Sequence, residues 1–192
     1  MKIVEYPHPA LRYPARPLTA INEKVRTQAR KMLDLMYEAK GLGLASNQVA
    51  LPYQLLVINP TADPTKTEEE KILVNPVITE RKGTMEGEEG CLSFPNLYAK
   101  VRRAKTIRAR AYNLKGELVD VAASDLPSRL IQHEVDHLHG ILFIDKLGPI
   151  ARLSARGSIK EFERKYRRAQ EKGDIPADLE IKKLLDALAA EA

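Results

Sequence analysis

From Ile131 to Gly140 the chain reads IQHEVDHLHG, which places three of its four histidines and two carboxylates within seven residues, His133 to His139. Leu130, Ile131, Val135 and Leu138 fall at helical spacing around them. Ser124 or Asp125 can cap such a helix, Pro127 sits in its first turn, and Gly140 ends it. On a helix, positions i and i+4 differ by about 40° of rotation, so His133 and His137 share one face. Two imidazoles held that way can bind one metal ion, and Glu134 is placed to reach a water beside it. Asp136 and His139 point elsewhere and read as exposed or supporting polar residues, with Asp136 able to orient a ligand histidine. A catalytic metal needs a third protein ligand and an open position. The rest of the fold must therefore deliver a donor to this face.

Three sources are open on residue type. The extended pattern HExxHxxGxxH matches through Gly140, but Phe143 stands at its third histidine, so that source fails. A downstream glutamate is a second source, yet Glu161, Glu163 and Glu171 all lie in a strongly charged helical segment. The third lies upstream. Cys91, the only cysteine, sits in EGEEGCLSFP, and its thiolate would be a strong ligand for zinc or ferrous iron. The glutamates before it would disfavour a free thiolate, whereas coordination would form one. Gly90 lets the backbone pass close to a ligand, and the Leu92 N–H can point at one.

The remaining sequence supplies strands and helices around this centre. Residues 1–19 carry four prolines and read as an extended arm. Asn22–Gly41 reads as a helix with Val25, Ala29, Met32, Leu33 and Met36 on its apolar face and Gly41 as its C-cap. GLGLASNQ, Gly41–Gln48, reads as a loop. QLLVINP and KILVNPVIT read as strands, and Thr106–Ser124 as a hairpin turning at Lys115-Gly116. Ser158–Lys172 and Ala177–Ala190 read as amphipathic helices separated by GDIP. The expected class is α+β: antiparallel or mixed sheets around a central HExxH helix, with an N-terminal helix and a C-terminal helical extension. A catalytic domain over 1–150 and an extension over 151–192 are expected.

Charge is concentrated in one place. Gly148–Lys172 holds eight Lys and Arg against three Glu, an excess equal to the net charge of +5 for the whole chain. Any pull on nucleic acid should come from that segment. A single cysteine excludes an internal disulfide, no window resembles a membrane span, and the N-terminus lacks a signal-peptide core, so a cytoplasmic location is expected.

Three stretches together resemble one family. EGCLS at Glu89–Ser93, QHEVDH at Gln132–His137 and GLGLASNQ at Gly41–Gln48 are similar, in order and spacing, to signature motifs of the peptide deformylases. The opening YPHPALRYPARPL also resembles that family's N-terminal arm, and the resemblance covers about residues 1–150. It implies hydrolysis of the N-formyl group from formyl-methionine on newly made polypeptides, with release of formate. It implies Cys91, His133 and His137 as ligands of one divalent ion, ferrous iron in the cell, with nickel, cobalt or zinc as replacements. Glu134 would be the general base and then acid. Gln48 and the Leu92 N–H would hold the developing oxyanion. Gly43, Leu42, Leu44 and Gly90 would contact substrate, Leu126, Leu130 and Leu42 would line a methionine pocket, and Glu89 would support the ligand loop.

Some positions depart from the pattern. Ser46 replaces a common alanine, a small change. Tyr98 stands near a position often held by a peptide-contacting arginine. Arg102 or Arg103 can be considered in its place, although both read as solvated surface. Gly87 and Glu88 stand where some relatives have an apolar pocket residue. The resemblance also admits docking of the basic C-terminal helix at the ribosome, against packing of that helix on its own domain or on a second copy. A metalloprotease with a carboxylate third ligand and a non-catalytic RNA-binding protein are the competing classes. The intact set of Gln48, Cys91, Glu134, His133 and His137 speaks against the second of these. No membrane partner is expected, and the chain would act as a monomer or homodimer.

Overall fold

A computed structural model describes residues 1–192. In chain order it comprises α1 (Glu23–Glu38), β1 (Gly43–Ala45), β2 (Leu55–Ile58), β3 (Lys71–Lys82), β4 (Met85–Cys91), β5 (Phe94–Arg103), β6 (Thr106–Tyr112), β7 (Leu118–Ser124), α2 (Asp125–Leu138), α3 (Pro149–Glu171) and α4 (Asp178–Ala189). Short 3-10 turns punctuate the connections. The class is α+β, and every pairing between these strands is antiparallel. Five strands form one sheet in the order β1-β2-β3-β6-β7, and β4–β5 form a separate two-stranded ribbon.

Strand alternation explains how the sheet is covered on both faces. Along β2, Leu55 and Val57 face α1, where they meet Val25, Ala29, Met32, Leu33 and Met36. Leu56 and Ile58 face the other way, onto Ile131, Val135 and Leu138 of α2. The same alternation runs through β1: Leu44 joins the α1 side and Ala45 the α2 side. A third cluster gathers Val4, Ala10 and Leu11 of the N-terminal arm, Phe94, Leu97 and Val101 of β5, Phe143, and Phe162, Ile181 and Leu185 of α3 and α4. The C-terminal helices thus close a core shared with the ribbon, in agreement with packing on the chain's own body. No helix is long and apolar enough to cross a membrane.

Several local expectations are corrected. α1 closes on a left-handed residue, but that residue is Lys40 (φ 56°), not Gly41. Lys40 N–H donates to Tyr37 O and Gly41 N–H to Met36 O, a Schellman closure in which Gly41 is the following residue. Ser124 occupies the cap position of α2, yet its side chain makes no capping bond. α3 begins at Pro149, nine residues before the expected Ser158, with Ile150 and Leu153 exposed on its first turns. β3 runs straight through Asn75-Pro76: Asn75 takes φ 50° at a bulge, and its side chain bonds both the N–H and the carbonyl of Leu18. The β4–β5 ribbon and the three-residue β1 lie where no strand was expected.

Candidate metal centre

α2 turns Gln132, His133, Glu134 and His137 inward, and all four are buried. β4 ends at Cys91, which pairs across the turn with Phe94 and whose Sγ reaches His137 of α2. The ligand-type atoms of Cys91, His133 and His137 lie within 4.8 Å of one another, and Cys91 Sγ is 3.3 Å from His137 Nε2. Bonds of about 2.0–2.3 Å at tetrahedral angles place donor atoms roughly 3.3–3.6 Å apart, so the Cys91–His137 pair already has the spacing of two ligands on one small ion.

The tautomers fit as well. Nδ1 of His133 is 3.0 Å from Glu89 Oε2, which leaves its Nε2 free for a ligand. Burial opposes a charge on His133, but Cys91, Glu89 and Glu134 outweigh it and hold its pKa above the ordinary histidine value. The acceptors that retain a proton there can equally retain a metal cation. Burial and the neighbouring His133 push His137 well below its ordinary value, keeping it neutral, which is the ligating form.

Glu89 is fixed from the other side. Arg103 grips it with two bonds, Nε to Oε1 at 2.8 Å and Nη2 to Oε2 at 2.9 Å, and Arg129 adds a third at 2.6 Å. Burial alone would raise this carboxyl; Arg103 and His133 instead hold it well below the usual carboxylate range. Arg103 also pairs with Asp136, which Lys146 approaches at 3.3 Å. Asp136 therefore reaches His133 only through Arg103 and Glu89. Arg103 is 5% exposed, which overturns its reading as solvated surface; Arg102 and His139 are exposed as expected. The buried pair Arg103 and Arg129 had not been foreseen. For Arg129 a signal existed: residues 129, 133 and 137 repeat every four positions and share one helix face.

Glu134 is 3% exposed, and its Oε2 has no hydrogen-bond partner. Burial lifts its pKa to about 7. A Cβ at Gly43 would collide with this carboxylate, so the glycine is what admits Glu134 to its place. Gln48 is oriented by accepting the Ala45 N–H at 2.8 Å on Oε1. Its Nε2 then faces Cys91 Sγ and Ser93 Oγ, each at 3.4 Å.

These groups border a cavity of about 630 Å³. Gln48, Cys91, Leu92, His133 and Glu134 are among its lining residues, and so are Leu42, Gly43, Gly90, Leu126 and Leu130. Of the expected substrate-contacting residues, only Leu44 has its side chain elsewhere: it is fully buried against α1, because alternation along β1 turns it away from Gly43 and Ala45.

With this geometry in hand, comparison with known proteins is decisive. A model of the family described as "Polypeptide deformylase" matches residues 1–153. The chain belongs to that family. Peptide deformylase from Rhodopirellula baltica is 42% identical over 175 residues, covering 91% of this chain and 87% of that protein. The protein from Acidobacterium capsulatum is 41% identical over 162 residues, covering 84% and 95%. Among solved structures, Arabidopsis thaliana peptide deformylase 1B with an inhibitor bound superposes with a TM-score of 0.85 at 38% identity, covering 92% of this chain and 96% of that one. Deformylase from Plasmodium falciparum gives 0.84 at 37% identity, covering 87% and 98%. The chain is thus a deformylase-family hydrolase that acts on an amide bond. The departures from the family motifs have simple places in the fold. Ser46 is buried and donates to Tyr53 O. Tyr98 is 64% exposed and lies across Gly90 at the cavity wall.

Proposed function

We propose that the chain hydrolyses the formyl group from the N-terminal formyl-methionine of newly made polypeptides, yielding formate and a free amine. One observation carries this reading: a buried carboxylate whose pKa lies near 7, an oriented carboxamide, and Cys91 and His133 of a Cys–His–His donor set all border one cavity in a deformylase-family fold. Cys91, His133 and His137 would hold one divalent ion, ferrous iron in the cell, with zinc, nickel or cobalt able to replace it. Such an ion supplies Lewis-acid polarisation and a water acidified toward neutrality.

The chain's own groups do the rest. Glu134 takes a proton from the attacking water and delivers it to the departing peptide nitrogen, a double role suited to a carboxyl whose pKa lies near the working pH. Gln48 Nε2–H and the Leu92 N–H donate to the formyl oxygen as it gains charge. Gly43 and Gly90 offer main chain to the substrate backbone, and Leu126, Leu130 and Leu42 receive the methionine side chain. The helix α2 that bears HExxH is the element around which both sheets organise this machinery, with residues 1–150 as the catalytic unit. We also propose that the exposed basic face of α3, including Arg156 and Lys160, meets ribosomal phosphates.

Mass spectrometry of a formyl-Met tripeptide after incubation with the reconstituted protein identifies the bond that breaks. Loss of the formyl group alone supports the reading, whereas cleavage between amino acids would replace it with proteolysis.

A further inference from the structure

The donors of the metal centre come from two elements that share no sheet. Cys91 belongs to the β4–β5 ribbon, and both histidines belong to α2. A lone two-stranded ribbon is only marginally stable in water, so its distance from α2 must be fixed by contacts outside its own ladder. We propose that Arg129 is a positioning residue that fixes it: a latch from α2 to the ribbon that sets the spacing between Cys91 and the histidines before an ion arrives. The inference rests on the metal reading proposed above.

The contacts of the guanidinium carry it. From α2, Arg129 Nη1 donates to Glu89 Oε1 at 2.6 Å, to Val101 O at 3.0 Å and to Gly87 O at 3.3 Å. Nη2 adds a long bond to Met85 O at 3.5 Å. One side chain thus binds both strands of the ribbon and the carboxylate that holds His133. Its position one helical turn before His133 and two before His137 transmits that grip along the ligand-bearing face. The side chain is 6% exposed, so these bonds are shielded from competing water. The ribbon is shaped to receive it: a Cβ on Gly87 would come within 2.8 Å of Nη2 and 3.1 Å of Cζ. The guanidinium occupies the space that any larger residue at 87 would need. Arg103 makes the opposite link, from the ribbon to Asp136 on α2, and keeps Glu89 charged and bonded without Arg129. Removing Arg129 should therefore loosen the ribbon while the Glu89–His133 bond persists.

The test is an anaerobic Co²⁺ titration of the reduced, metal-free protein, read by the d–d bands and the thiolate-to-cobalt charge-transfer band. Arg129→Met removes every donor, Arg129→Lys keeps only the charge, and Gly87→Ala keeps all charges but displaces the guanidinium. Arg129→Met is expected to bind cobalt about 10- to 100-fold more weakly with a diminished thiolate band. Gly87→Ala should move the same way, and Arg129→Lys should fall between. A variant that folds by circular dichroism and binds cobalt with native affinity and spectrum overturns the proposal, even if its thermal midpoint falls. Should Arg129→Met fail to fold, Gly87→Ala decides by the same criterion. Failure of the native protein to bind cobalt through Cys91 would instead overturn the metal reading itself, and the latch with it.

Discussion

Replacing Glu134 with glutamine should make the metal-free protein more stable at alkaline pH while disabling it as an enzyme. The carboxyl is buried with an unpartnered oxygen, and its pKa rises from an ordinary 4.5 to about 7. A carboxyl whose folded pKa is raised costs nothing while it is protonated in both states. The penalty grows as pH climbs through the interval between the two values, because the folded state then binds more protons than the unfolded one. With about 1.36 kcal/mol for each pKa unit, the full penalty above pH 7 is about 3 kcal/mol. Glutamine has nearly the same shape and no charge to desolvate, so it should escape this term. Urea unfolding of both chelated, reduced proteins from pH 5 to pH 8 gives the quantity needed, the difference between variant and native stability. Titrating groups that do not interact with Glu134 cancel in that difference, and the attraction of His133 is already contained in the raised pKa of Glu134. The difference should grow by about 2.5 kcal/mol in favour of the variant across the range, since part of the penalty is already present at pH 5. A difference that stays flat, or falls with rising pH, would refute the placement of Glu134 as a buried, desolvated base.

Other outcomes follow from the same geometry. Gly43→Ala should lower kcat about 100-fold with little change in stability, since its methyl group displaces the Glu134 carboxylate by a fraction of its working distance; steady-state kinetics with one formyl peptide checks this. Cys91→Ser should reduce bound metal to well below one ion per chain after dialysis, measured by elemental analysis, because a hydroxyl replaces the thiolate of the donor trio. Phe162→Ala should cost about 3–5 kcal/mol of unfolding free energy, since that ring packs edge-on against Phe94 in the core the tail shares with the ribbon. If the C-terminal helices were an independent appendage, the main unfolding transition would not move.

What could be read from the sequence divides along physical lines. α1 and α4 declared themselves because their buried positions are apolar and keep helical spacing, and α2 because Ile131, Val135 and Leu138 keep that spacing among its polar site residues. The β6–β7 hairpin did so through strict alternation around Lys115-Gly116. The β4–β5 ribbon did not, because the half-buried side of β4 holds Gly87, Glu89 and Cys91 in place of β-formers. Those positions serve the centre rather than a core, so local propensity and final structure disagree there. The first turns of α3 were not legible because their apolar residues Ile150 and Leu153 lie exposed, off the face that buries Ala155, Phe162 and Tyr166. Within the site, residue types and spacing indicated His133, Glu134 and His137 and left Cys91 as one of three sources of a further ligand; the family resemblance singled out Cys91 and added Gln48. The arginines that hold Glu89 stayed hidden, since a buried guanidinium and a surface one look alike until its partner is placed. Leu44 was expected among the substrate contacts from the resemblance, and strand alternation turns it to the core.

The most direct test of the account is formate release from a short formyl-Met peptide, measured anaerobically with the protein loaded with ferrous iron or nickel, beside Glu134→Ala prepared in the same way. The account predicts multiple turnovers in the native protein and a loss of about 100- to 10,000-fold in the variant, with bound metal unchanged. Native protein that carries one ion per chain and releases no formate would contradict it.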